Sequence, residues 1–160
     1  MKTLTVFFSL DGSTRSAAKI IADRLDADLL ELQPVKPFPT GKFLKYFLGG
    51  MKATLAKEVK LKPYTFDPGA YETVIICTPI WASSVTPPVR TFLKNSKLGS
   101  VKLGIVTCSG GGDAAKAPAQ ILSLTGRDKA AAELCIFDSH YAGAAGNDAA
   151  IEAFCRKMQE

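Results

Sequence analysis

At 160 residues the chain has the size of one domain, and its 47% hydrophobic and 22% charged residues suit a globular protein that closes a core without disulfides or metal. Met1-Lys2-Thr3 leads into a short strand-like run, and nowhere do eighteen apolar residues follow one another, so neither an export signal nor a transmembrane segment is expected and the cytoplasm is the expected compartment. The net charge of +5 is local: Lys36 to Lys62 holds seven lysines against Glu58, while the rest, 13 basic and 14 acidic residues, nearly cancels, and without a second basic segment nucleic acid is not an expected partner.

In chain order, Leu4 to Ser9 reads as a strand and Thr14 to Leu25 as a helix whose apolar face is Ala17, Ala18, Ile21 and Leu25. Between them lies Ser9-Leu10-Asp11-Gly12-Ser13-Thr14. A buried strand that ends in hydroxyl residues and a glycine and turns directly into a helix presents backbone N–H groups and the positive helix end to one spot, which suits a phosphate. The plainer reading is a βα turn with Ser13 or Thr14 as helix cap. Arg15, in the first helical turn, either faces solvent or meets the anion.

Asp28 to Leu32 reads as the second strand. Pro34 to Pro39 and Pro63 to Pro68 then bracket a lysine-rich helical insertion, around residues 36–62, in which Phe43, Phe47, Met51 and Leu55 form a stripe bordered by Lys42, Lys45 and Lys52. It is either a solvated lysine face packed on the domain or a docking surface for an acidic partner. Thr73 to Thr78 is an apolar strand, Thr86-Pro87-Pro88 starts a helix through Leu93, and Val101 to Thr107 is the fourth strand. A helix over Asp113 to Leu124, a strand over Ala132 to Phe137 and a helix over Asn147 to Met158 complete a single domain over 1–160. Five apolar strands alternating with helices predict a three-layer, doubly wound α/β fold with a five-stranded parallel sheet, its strands buried on both faces.

In such a sheet ligands bind beyond the carboxyl ends of the strands. Two further loops there are rich in signal. Thr78-Pro79-Ile80-Trp81-Ala82-Ser83-Ser84-Val85-Thr86-Pro87-Pro88 carries the chain's one tryptophan, expected as an exposed aromatic plate or else a core residue. Thr107-Cys108-Ser109-Gly110-Gly111-Gly112-Asp113 bares three glycines to a flat ligand. Cys77, Cys108, Cys135 and Cys155 show no C-x-x-C spacing, so buried thiols are expected and no metal site. Cys108 reads as a packing residue more readily than a nucleophile, since no base is paired with it in sequence. His140, the one histidine, is a loop residue or a proton donor.

Together the three loops resemble those of flavodoxin-like FMN proteins, over nearly the whole chain. The first is similar to the family's S/T-x-T-G-x-T phosphate loop, T-P-I-W to the loop that places an aromatic on the flavin, and T-C-S-G-G-G to the third flavin loop. The resemblance implies a 2-1-3-4-5 sheet and FMN as cofactor. The phosphate would lie on Ser9, Gly12, Ser13 and Thr14, the ring beside Pro79, Ile80, Trp81 and Ala82, and its far edge on Cys108, Ser109, Gly110, Gly111 and Gly112. It also implies a flavoprotein for electron transfer, or an oxidoreductase reducing a small acceptor such as a quinone, served by a redox partner protein or an NAD(P)H-linked donor. Asp11 departs from the pattern, standing where the family has threonine. A carboxylate near the phosphate would repel it by about 1 kcal/mol per charge pair even in a high effective dielectric, so Asp11 either turns away or weakens FMN. The third loop lacks the tyrosine that covers the flavin in carrier flavodoxins, and the chain is basic where those are acidic. The alternative is a flavodoxin-fold module without cofactor that acts through partner binding. A phosphoacceptor receiver lacks its acidic pair after the first strand and its lysine after the fifth.

Overall fold

The computed structural model describes residues 2–39, 58–110, 116–137 and 145–160. Its elements are β1 (Thr3–Phe7), α1 (Ser13–Leu25), β2 (Asp28–Glu31), a 3-10 turn (Pro68–Ala70), β3 (Thr73–Trp81), β4 (Ser84–Val85), α2 (Pro87–Asn95), β5 (Lys102–Ser109), α3 (Lys116–Thr125), β6 (Ala132–Phe137) and α4 (Ala145–Gln159). Five strands pair in parallel in the order β2-β1-β3-β5-β6, while β4 pairs antiparallel with the end of β3. With β4 set aside, this is the expected 2-1-3-4-5 order. The order reverses between β1 and β3, and a crevice at the carboxyl edge opens at such a switch point.

Side chains alternate across each central strand and build two cores. Phe7, Ile75, Cys77, Val106 and Ile136 face Ala17, Ala18 and Ile21 of α1 and Ile151, Phe154 and Met158 of α4. Val6, Val74, Ile76, Leu103 and Ile105 face the other way, toward Val89, Phe92 and Leu93 of α2 and Ile121 of α3. The helices therefore cover both faces, giving three layers. At Gly104 the backbone of β5 comes close to α4: a Cβ there would lie 3.0 Å from Met158 Sδ and 3.0 Å from Phe154 Cζ.

The expectation that every strand is buried on both faces holds in the centre and fails at the edges. β1 is buried throughout, β2 is half-buried to exposed, and β6 alternates. An edge strand has a neighbour on one side only and less helix over it, so Leu29 is 43% and Phe137 56% exposed. Boundaries shift as well. The strand expected from Leu4 to Ser9 ends at Phe7, whereas β3 continues three residues beyond Thr78 because β4 folds back on it.

The two ends of the lysine-rich segment are tied together. Pro34 bridges Leu61, Val35 N–H donates to Lys60 O at 2.8 Å, and Lys62 N–H donates to Gln33 O at 2.7 Å. The Phe43 to Leu55 stripe and Lys42, Lys45 and Lys52 lie outside the described residues, as do Gly111, Gly112, Asp113 and His140.

Candidate functional site

The register sets three strand ends side by side. Phe7 pairs with Cys77 and Cys77 with Val106, and farther along Pro79 pairs with Cys108. The chain that leaves β1, β3 and β5 thus emerges at one edge of the sheet.

After β1 the chain makes a tight, internally bonded loop. Ser9 Oγ accepts from Gly12 N–H at 3.0 Å, and Asp11 Oδ1 accepts from Ser13 N–H at 2.9 Å. Gly12 sits in the left-handed region at φ 98°, which glycine adopts at no steric cost, and its carbonyl receives the Ser16 N–H at 3.0 Å to start α1. Ser13 and Thr14 are buried. Asp11 therefore neither turns away from the loop nor stands idle in it: its carboxylate holds one of the amides that the phosphate reading needs. Arg15 is paired with Glu31 at the end of β2, and its Nη1 lies 3.9 Å from where a Cβ on Gly12 would be. The Arg15 side chain remains 42% exposed, tied across the loop to the opposite charge at the neighbouring strand end.

The second segment is a hairpin. β3 runs to Trp81, turns at Ala82 and Ser83, and returns as β4 with Ile80 opposite Val85 and Trp81 opposite Ser84. Both turn residues have positive φ, 48° and 61°, the pattern of a type I′ turn that usually carries Asn-Gly. Gln120 of α3 braces the return strand: its Oε1 accepts from Val85 N–H at 2.9 Å and its Nε2 donates to Ser84 Oγ at 3.2 Å. Beneath the hairpin Thr78 Oγ1 donates to Pro79 O at 2.9 Å and lies 3.1 Å from Thr86 Oγ1. With the Thr78 proton already committed, Thr86 is the donor between the two hydroxyls.

Trp81 is not the exposed plate that the sequence suggests. It is 6% exposed, and meets Phe8 and Phe38 edge to face, with centroids 5.7 Å and 5.1 Å away. Phe8 and Phe38 also touch, at 5.7 Å. Such edge-to-face pairs each add about 0.5–1.5 kcal/mol to the burial of the rings, so the indole belongs to the core under the site. Pro79 and Ile80 are half-buried and Ala82 is exposed; these remain available to a ligand at the strand end.

The third segment contributes Cys108, Ser109 and Gly110. Ser109 is buried, Gly110 is exposed, and a Cβ on Gly110 would find no atom of the described residues within 4 Å. Burial pushes the Cys108 thiol up to about 12, with the Thr14 hydroxyl hydrogen-bonded to it pulling the other way and Cys135 and Asp11 adding to the rise. Cys77 is pushed up well above its ordinary value by burial, and by Cys108 and Cys155. Both thiols are protonated at neutral pH, so neither is a nucleophile. The Thr14 to Cys108 contact joins the first loop to the third. Among the described residues no group of histidine, cysteine or carboxylate side chains could hold a metal ion, and no helix is long and apolar enough to cross a membrane.

A family model described as flavodoxin matches residues 2–125. The chain belongs to the flavodoxin family. A relative from Archaeoglobus fulgidus, described as an uncharacterized protein, is 28% identical over 107 residues, which are 67% of this chain and 65% of that protein. The match thus spans just under two thirds of the relative's length. Among solved structures, a candidate flavoprotein from Bacteroides uniformis covers 99% of this chain and 98% of its own at 20% identity, with a TM-score of 0.79. A flavoprotein from Lactobacillus acidophilus, in complex with FMN, covers 89% and 96% at 17% identity and a TM-score of 0.69. At these identities the likeness is one of fold. Sequence reasoning about this flavodoxin missed Gln120, Phe38 and the β4 return strand. Gln120 carries no local signal, and Phe38 is hidden in a proline-rich stretch that reads as a bracket.

Proposed function

We propose that the chain is an FMN-binding redox protein, with its cofactor site at the carboxyl ends of β1, β3 and β5. One observation carries the reading: the register that sets Pro79 beside Cys108, with Thr14 hydrogen-bonded to Cys108, draws three loops of the flavodoxin pattern to one edge. The residues fit the group. The first loop has hydroxyls and helix N-terminal amides for a phosphate, Pro79, Ile80 and Ala82 would flank a flat ring, and among the described residues no atom lies within 4 Å of where a Cβ on Gly110 would be.

When bound, FMN supplies one- and two-electron transfer. The chain's own residues position it. Gly12 brings the backbone close to the phosphate, Ser13 and Thr14 aim α1 at it, and Gln120 and the Thr78–Thr86 pair hold the β3–β4 hairpin in place. Protonated Cys108 leaves the flavin free of attack by a thiolate. With Trp81 buried, no exposed tryptophan covers the ring at the β3 loop, which suits access by a small acceptor such as a quinone as well as electron transfer to a redox partner protein; an NAD(P)H-linked donor would supply the electrons. Its four free cysteines, three of them buried, fit the cytoplasm. A second reading, a partner-binding module without cofactor, draws on one feature, the Asp11 carboxylate seated on Ser13 N–H.

The test is titration of FMN into the purified protein, followed by absorption and flavin fluorescence. Saturable binding of one FMN per chain supports the first reading. Absence of binding at millimolar FMN supports the second.

A further inference from the structure

We propose that Asp11 is an internal occupant of the phosphate site and sets how tightly FMN is held; this rests on the FMN reading above. The Ser13 amide has one hydrogen, and in this structure it is given to Asp11 Oδ1 at 2.9 Å. Ser13 is the first residue of α1, so this amide belongs to the set left without an intrahelical acceptor, the set that an anion at a helix start would use. The neighbouring Gly12 N–H is likewise engaged, by Ser9 Oγ at 3.0 Å. The loop's nearest cation, Arg15, is held by Glu31. The charges of the loop are thus satisfied from within.

A phosphate must then exchange partners with the protein. Ser13 N–H passes from the carboxylate to a phosphate oxygen, and the exposed Asp11 turns toward solvent, away from the like charge. Part of the phosphate's binding free energy offsets the contact it breaks. Two consequences follow: the cofactor is exchangeable, and the effect is confined to ligands that carry a phosphate. Riboflavin, which has the same ring system and no phosphate, does not compete with Asp11.

The experiment compares wild type, Asp11→Asn and Asp11→Ala. Each apoprotein is titrated with FMN and with riboflavin by flavin fluorescence, and its thermal midpoint is measured with and without inorganic phosphate. Asparagine keeps the acceptor oxygen and removes the charge; alanine removes both. The proposal expects FMN to bind tenfold or more tighter to Asp11→Ala, with Asp11→Asn between it and wild type. Riboflavin affinity should be the same in all three, and inorganic phosphate should raise the midpoint of Asp11→Ala more than that of wild type. FMN binding that is unchanged or weaker in both variants, with riboflavin unaffected, overturns the proposal and makes Asp11 an organiser of the loop. An equal tightening of both flavins overturns it too, because the effect would then not pass through the phosphate. If no form binds either flavin, the FMN reading itself falls and this inference falls with it.

Discussion

Replacing Gly104 with alanine tests how closely α4 is seated on the sheet that presents the site. The new Cβ would lie 3.0 Å from Met158 Sδ, 3.0 Å from Phe154 Cζ and 3.1 Å from Met158 Cε, where ordinary contacts are several tenths of an ångström longer. The Met158 thioether can rotate away, but Phe154 is 3% exposed and its ring is packed within the core. Overpacking of this kind costs about 1–3 kcal/mol. Alanine also narrows the unfolded ensemble, which returns about 0.4–1 kcal/mol. The cost wins, and a net loss of about 1–2 kcal/mol should lower the thermal midpoint by about 2–8 °C for a chain of this size. Urea denaturation should show a lower midpoint with an unchanged slope. Gly110→Ala is the control: its Cβ would meet nothing within 4 Å among the described residues, so its stability should stay within about 0.5 kcal/mol of wild type. A Gly104→Ala protein as stable as wild type would show that α4 slides on the sheet, and the close packing argued for β5 would be wrong.

Thr5 on β1 is fully buried, and its hydroxyl has no hydrogen-bond partner among the described residues, so Thr5→Val should stabilise by about 1 kcal/mol in thermal or urea unfolding; a loss of stability would reveal a partner for that hydroxyl. The β3–β4 turn places Ala82 and Ser83 at positive φ, so the double change Ala82→Asn with Ser83→Gly should add about 1 kcal/mol, and destabilisation would mean that the native side chains make contacts worth more than the strain. Because burial raises the Cys108 and Cys77 thiols, their reactive thiolate forms are scarce at neutral pH. A thiol reagent should therefore modify both only as fast as the protein opens, with half-buried Cys135 reacting first; rapid modification of Cys108 in the folded protein would contradict its burial.

The central sheet was legible because β1, β3 and β5 are apolar runs bounded by turn residues, and a strand buried on both faces has little other sequence it can carry. The edges were less so: Asp28–Glu31 and Ala132–Phe137 look as apolar in part as the centre, and their exposure depends on which neighbour is absent. The candidate site divides in the same way. Gly12 at a βα turn is a local signal, and the structure gives it the left-handed conformation that glycine supplies. Asp11 was read from sequence through its charge alone, although an aspartate two residues before a helix's first amide also signals a local hydrogen bond. The burial of Trp81 was beyond local reasoning, since it depends on Phe8 and Phe38, 73 and 43 positions away in the chain, meeting over the end of β3. The Thr14 to Cys108 contact is likewise long-range and arises from the register of strands.

The central claim is that FMN binds at one edge of the sheet, and an amide-resolved NMR titration of the full chain with FMN tests it most directly. Shifts should concentrate at Gly12, Ser13 and Thr14, at Ile80 to Ser83, and at Cys108 to Gly110, and should saturate together with a single dissociation constant. Unmoved signals in these three loops, or shifts gathered at the opposite strand ends around Gly69 and Gly99, would contradict it.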